Sequence, residues 1–64
     1  MYTIFFDNYN GIPDDISFKT LEAAEKKFDA MSSVAFKKLV KTTADAEVTL
    51  KTWKDEAYWA EMLK

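Results

Sequence analysis

The sequence predicts a small α+β domain, in which an antiparallel sheet of three to four strands carries one central helix and a C-terminal helix. The 64 residues suffice for a single domain, residues 1–64, with one modest hydrophobic core. Apolar residues alternate with a period of two in several short stretches, whereas residues 20–32 follow the period of a helix. The only glycine and the only proline both lie within residues 7–18, where the chain is expected to reverse. The expected order is β-(β)-α-β-β-α.

Residues 2–9 predict the first strand, because the stretch is rich in aromatic and β-branched residues and alternates two sets of side chains. Asn10-Gly11 follows. This dipeptide is typical of a type I′ hairpin turn, which needs a positive φ at both central residues.

Residues 12–15, Ile-Pro-Asp-Asp, have the composition of a type I turn, so we expect a second reversal directly after the first. Residues 16–18 alternate and predict a second arm of the hairpin. Pro13 has no backbone donor, which restricts this arm to a short edge strand or an irregular segment.

Residues 20–32 predict the central helix. Thr20 suits the N-cap, and Glu22 places a negative charge at the positive end of the helix dipole. Ala23 and Ala30 are expected to widen the buried face. The apolar stripe of this helix consists of Leu21, Ala24, Phe28 and Met31.

Residues 34–43 suit either a strand or one helical turn. The strand is favoured by Val34, Phe36, Val40, Thr42 and Thr43, whereas the spacing of Phe36, Leu39 and Val40 would also suit a helical turn. We favour the strand, since residues 47–53 alternate well and residues 43–46 have the composition of a turn. The two strands then form a hairpin.

The last helix is expected to begin at a pattern like a capping box, from Thr52 to Asp55, with Asp in place of the usual Glu or Gln. Glu56 falls in the first turn and Lys64 in the last turn, where their charges suit the helix dipole. One side of this helix carries Trp59, Ala60, Met62 and Leu63.

The composition excludes most catalytic and metal-binding chemistry. Without histidine or cysteine, the chain has no imidazole base, no thiol nucleophile and no Cys/His zinc site. One glycine cannot build a phosphate-binding loop, and the Asp-x-Asp-x-Asp-Gly pattern of a calcium loop is missing. We therefore expect a protein that is not an enzyme and that uses no cofactor, metal or small-molecule substrate.

The charges count against direct binding of nucleic acid. All nine cations are lysines, so the bidentate fork of arginine is missing, and the net charge is −2. The amino terminus lacks the basic region of a signal peptide, and no apolar stretch approaches 18 residues. Together with the missing cysteines, this predicts a soluble protein of the cytoplasm with no membrane partner.

Two groups of side chains are candidates for binding a partner protein. An acidic arc would form if the turn folds beside the start of the helix, and it would consist of Asp7, Asp14, Asp15, Glu22, Glu25 and Asp29. Ten aromatic residues exceed what a small core absorbs, so some tyrosine or tryptophan rings are expected at the surface as contact anchors. The predicted partner-binding residues are Tyr9, Asp14, Asp15, Glu22, Tyr58 and Trp59. The alternatives are ordinary solvated charge and ordinary core packing.

The compact acidic layout, with an aromatic strand YTIFFDNY joined by an acidic turn to FKTLEAAEKKFDAM, resembles small accessory proteins of bacteriophages and mobile elements, including anti-CRISPR and other anti-defence inhibitors. The resemblance is one of kind, and no functional residue transfers. It implies stoichiometric binding to a host protein or nucleoprotein complex, by blocking a basic or nucleic-acid-binding surface in the bacterial cytoplasm.

Two other functions compete with this prediction. One is a self-associating structural or regulatory protein, a homodimer held by Tyr58, Trp59 and Met62. The other is a single-strand nucleic-acid binder that stacks bases on Phe36 and pairs phosphates with Lys37, Lys38 and Lys41.

Overall fold

Four antiparallel strands form one sheet in the order β2-β1-β3-β4, and two helices accompany it. The computed structural model describes residues 1–63. Its elements are β1 (Tyr2–Asp7), β2 (Pro13–Phe18), α1 (Leu21–Ala30), β3 (Phe36–Thr42), β4 (Glu47–Lys54) and α2 (Glu56–Met62). The predicted α+β class and the order β-β-α-β-β-α are confirmed, with four strands and residues 36–42 as a strand.

The core lies between α1 and one face of the sheet. Ile4 of β1 stands opposite both Ile16 of β2 and Leu39 of β3, so their side chains share a face. Ile4 and Leu39 are completely buried, and each contributes about 1.5–3 kcal/mol relative to an exposed side chain. The buried cluster consists of Ile4, Phe6, Ala24, Phe28, Val34 and Leu39.

The helix α1 is capped at both ends by side chains. The Thr20 hydroxyl accepts a hydrogen bond from the Ala23 N–H at 3.2 Å, which confirms the predicted N-cap. At the other end the Lys37 ammonium donates to the carbonyls of Phe28 and Met31, at 2.5 and 2.9 Å, where the helix dipole is negative.

The predicted apolar stripe of α1 is only partly buried. Ala24 and Phe28 are buried, but Leu21 is 37% exposed at the first turn. Ala23 and Ala30 are exposed, so the prediction that they widen the buried face is wrong. The helix ends at Ala30, and only the stripe that carries Ala24 and Phe28 is buried.

The β1–β2 connection differs from the predicted type I′ turn. Positive φ values occur at Tyr9 (67°) and Gly11 (75°), not at Asn10. The reason is the Asp7 carboxylate, whose Oδ1 accepts from the N–H groups of Asn10 and Gly11 at 3.2 and 3.3 Å. A buried aspartate at the end of β1 thus organises a longer, five-residue connection.

The predicted second reversal at residues 12–15 is wrong, because residues 13–15 are already the first three residues of β2. Pro13 pairs with Asp7, Asp14 with Phe6 and Asp15 with Phe5. The strand tolerates Pro13 because this residue begins an edge strand. The expectation of a short edge strand after the glycine is therefore confirmed.

The β3–β4 hairpin turns at residues 43–46, as predicted. The Thr43 N–H donates to the Ala46 carbonyl at 2.9 Å, and the Thr43 hydroxyl also accepts from the Ala46 N–H. The register contains one irregularity: Leu39 faces Lys51 but Val40 faces Thr49, so Leu50 is an extra residue in β4.

The helix α2 begins later than the capping-box pattern predicted. Strand β4 continues through Thr52 to Lys54, and Asp55 is the N-cap, with its Oδ1 accepting from the Tyr58 N–H at 3.2 Å. The continued pairing of β4 with β3 keeps Thr52 from capping. Lys64, predicted in the last turn, lies outside the described residues. No helix in the described chain has the length and apolarity to cross a membrane.

Candidate protein-interaction surface

Three of the predicted contact residues converge at one end of the sheet. The rings of Tyr9 and Tyr58 lie 4.8 Å apart between centroids, at an interplanar angle of 87°. The rings of Tyr58 and Trp59 lie 5.3 Å apart at 78°. Both pairs are edge-to-face, the arrangement that the ring quadrupole favours. We call this group, with Asp55, the aromatic end.

Tyr9 reaches the aromatic end from the β1–β2 connection. Its hydroxyl donates to Asp55 Oδ2 at 2.7 Å, and the other oxygen of this carboxylate caps α2. The residue has a left-handed φ of 67°, which is strained for an aromatic side chain. The Asp7 carboxylate stabilises the loop in this conformation, and the conformation places the Tyr9 ring against Tyr58 of α2.

The Tyr9–Asp55 hydrogen bond shifts the pKa of both groups. Acceptance of this bond is the main cause that lowers the pKa of the Asp55 carboxyl, and the Tyr58 N–H lowers it further. The same bond to the carboxylate is the main cause that raises the pKa of the Tyr9 hydroxyl. The neutral phenol and the ionised carboxylate therefore persist together over a wide pH range.

Trp59 attaches α2 to the sheet. Its indole N–H donates to the Ala35 carbonyl at 3.0 Å, and the Asp55 N–H donates to the same carbonyl at 2.9 Å. Tyr58 and Trp59 are each half-buried, and Tyr9 is 41% exposed. All three rings are thus held in place and still offer surface to a partner.

The predicted acidic arc is not assembled. Asp7 is buried and caps the loop, while Glu25 and Asp29 of α1 pair with Lys51 at 3.4 and 3.6 Å. Glu22 lies in the first turn of α1, at the opposite end of the sheet from the aromatic end.

Asp14 and Asp15 are exposed, but they lie in β2 and point to opposite faces. Pro13, Asp7, Phe36 and Lys54 form one row across the four strands. Three strand spacings, about 14 Å, separate the two ends of this row. Asp14 pairs with Phe6, one residue inside this row at the β2 edge, whereas Asp55 follows Lys54 beyond the row and belongs to the aromatic end.

The sequence did not identify Asp55 as part of the site. The sequence does indicate a cap at this position, because aspartate is a favourable N-cap residue. The prediction chose Thr52 instead, three residues earlier. A cavity of about 620 Å³ next to the start of α2 was also missed. It is lined by Phe36, Thr52, Trp53, Lys54 and Glu56.

The lysines of β3 do not form one basic surface. Lys37 is buried beneath α1, with its ammonium 4.4 Å from the centroid of the Phe28 ring. Lys38 lies on the other face, 5.5 Å from the Phe5 ring centroid, and Lys41 is exposed. No cluster of three acidic side chains suited to a metal ion occurs in residues 1–63.

Comparison with known proteins gave no match to a family model, to a characterised protein or to a solved structure. The case for a function therefore depends on the geometry of the aromatic end.

Proposed function

We propose that this chain is a non-enzymatic protein-binding module, and that the aromatic end contacts a basic surface of a larger protein. The observation that carries the proposal is the convergence of Tyr9, Tyr58 and Trp59, from two separate segments, into one partly exposed cluster. In the phage-type inhibitor that the sequence resembles, the surface blocked would be the nucleic-acid-binding site of a host defence complex.

The aromatic end is organised before binding. Hydrogen bonds fix Tyr9 to Asp55 and Trp59 to Ala35, so these rings have little freedom left to lose. Ordering one flexible side chain at an interface costs roughly 0.5–1.5 kcal/mol, and fixed rings avoid much of this cost. Tyrosine and tryptophan are also the residues most often found to dominate binding energy.

Charge favours a basic partner. The carboxylates of Asp14 and Asp15 are exposed on edge strand β2, and that of Glu56 is exposed in the first turn of α2. Fields of this sign steer a lysine- or arginine-rich surface into contact and raise the association rate. The rings then supply the desolvated centre of the interface, while the carboxylates form its polar rim.

Affinity capture followed by competition tests the proposal. The tagged chain is incubated with bacterial lysate, retained proteins are identified by mass spectrometry, and their binding to oligonucleotides is measured with and without the chain. We expect a retained protein whose oligonucleotide binding falls in proportion to added chain, to zero near one equivalent.

Variants then locate the contact. Tyr9→Ser with Tyr58→Ser is expected to lose the retained protein, while Glu22→Lys with Asp45→Lys, at the opposite end of the sheet, is expected to keep it. Circular dichroism of both variants checks that the fold persists. Equal capture by both double variants would refute the aromatic end as the contact surface.

A further inference from the structure

Strand β4 is an edge strand whose outer side is uncovered. It pairs only with β3, and seven of its eight residues are exposed. The helix α2 turns away from this edge, because Asp55 and Trp59 both bond to the Ala35 carbonyl on the β3 side. An exposed strand of this length presents unpaired N–H and C=O groups to another strand.

The irregularity at Leu50 changes which side chains of β4 share a face. Val48 stands opposite Lys41 and Trp53 opposite Lys37, and these two lysines lie four residues apart on one face of β3. In a regular strand, residues five apart point to opposite faces. The extra residue brings Val48 and Trp53 to the same face.

Apart from Leu50, the remaining exposed side chains of β4 lie on the other face. Glu47, Thr49, Thr52 and Lys54 stand opposite Thr42, Val40, Lys38 and Phe36 of β3. On the N-terminal side of Leu50 the strand carries a threonine, then an apolar residue, then a charge, and on the C-terminal side the same order begins after Lys51. The two terminal charges have opposite signs.

We propose that β4 pairs antiparallel with the β4 strand of a second copy, about a two-fold axis that passes between their irregularities. This register is the same when read from either strand, and it joins the two sheets into one of eight strands. The pairs, each formed twice, are Glu47 with Lys54, Val48 with Trp53, Thr49 with Thr52 and, next to the axis, Leu50 with Lys51.

The three pairs away from the axis are favourable, and the two members of each pair lie on the same face. Opposite charges, threonine pairs and aromatic–β-branched pairs each stabilise antiparallel neighbours. Val48 is 50% exposed and Trp53 45% exposed, so the contact covers apolar surface that water now reaches. A shift by two residues would instead place Val48 opposite Lys51.

The second copy is the partner that fits best. A regular strand cannot follow β4 on both sides of Leu50, whereas another β4 carries its irregularity at the matching place. Lys51 does not obstruct the contact, because its ammonium is held by Glu25 and Asp29 of α1. The other edge, β2, begins with Pro13 and two aspartates, which disfavour pairing with itself.

Charge reversal with rescue tests this register. Glu47→Lys gives a strand with lysine at both terminal positions, and Lys54→Glu gives one with glutamate at both. Neither residue forms an ion pair within residues 1–63, so the fold of each variant should persist. Sedimentation equilibrium is run on the wild-type chain, on each variant, and on their equimolar mixture.

We expect the wild-type chain to form a dimer of twice 7.4 kDa as its concentration rises. Each variant alone should dimerise roughly ten-fold more weakly, because two attractive pairs become repulsive. The equimolar mixture should recover wild-type affinity, since lysine then meets glutamate at both positions. A strict monomer at millimolar concentration, open-ended oligomers, or a dimer indifferent to both reversals and to mixing would overturn the proposal.

Discussion

Lys37 is predicted to stabilise the fold, although its residue type and neighbours also suit nucleic-acid binding. Its ammonium is buried and donates to two carbonyls at the C-terminal end of α1, Phe28 and Met31. Substitution Lys37→Met keeps the packed side-chain stem but removes the charge and both hydrogen bonds. The variant therefore isolates the contribution of the ammonium group.

The expected loss follows from opposing terms. Two hydrogen bonds to a charged group are worth about 3–6 kcal/mol together. Removing the buried charge returns several kcal/mol of desolvation cost. We expect a net loss of about 1–3 kcal/mol, because two backbone carbonyls at the helix end lose a donor. That is a large share of the ~3–10 kcal/mol typical for a domain of this length.

Urea denaturation followed by circular dichroism measures this loss. Lys41→Met is the matched control, since Lys41 lies on the same strand but is exposed, and its substitution should change stability by less than about 0.5 kcal/mol. Equal midpoints for the wild-type chain and Lys37→Met would refute the structural role of the ammonium. A free Lys37 would then be available for phosphates.

Three further predictions concern the N-cap of α1, the aromatic end and the aspartates of β2. Thr20→Ala removes the N-cap of α1 and should cost about 1 kcal/mol in urea or thermal unfolding; an unchanged midpoint would contradict the capping role. Tyr9→Phe removes the hydrogen bond to Asp55 and should therefore be less stable than the wild-type chain. This difference in stability should be fully present between pH 3.8 and pH 10.0, the ordinary pKa values of Asp55 and Tyr9. It should vanish as pH falls through the lowered pKa of Asp55 or rises through the raised pKa of Tyr9, and a difference that persists at both extremes would contradict the bond. Asp14→Lys with Asp15→Lys should keep the fold by circular dichroism, because both side chains are exposed, and should weaken capture of a basic partner; unchanged affinity would remove these acids from the interface.

The elements of the fold could be predicted because their patterns are local. The alternation of residues 47–53 and the Thr20 cap each identify an element without knowledge of its neighbours. The errors occurred where a side chain outside the short pattern, or pairing with another strand, decides the outcome. The buried Asp7 carboxylate determines the shape of the loop, and pairing with β3 extends β4 past Thr52 and makes Asp55 the cap.

The candidate site was predictable in part for the same reason. Surplus aromatic residues indicated exposed rings, and three of the six predicted residues do converge. The prediction of an acidic arc was wrong because the sequence alone does not show which carboxylates form ion pairs with lysines. Lys51 of β4 forms ion pairs with two of the carboxylates, Glu25 and Asp29. Glu22 lies at the end of the sheet opposite to the aromatic end. The β4 pairing depends on an irregularity that no local pattern indicates.

Chemical-shift mapping by nuclear magnetic resonance, during titration with a partner obtained by affinity capture, tests the central claim most directly. We predict that the largest shifts fall on Tyr9, Tyr58 and Trp59, and that the indole N–H signal of Trp59 is among them. Shifts confined to α1 or to the β4 edge, with the three rings unchanged, would contradict the proposal that the aromatic end binds the partner.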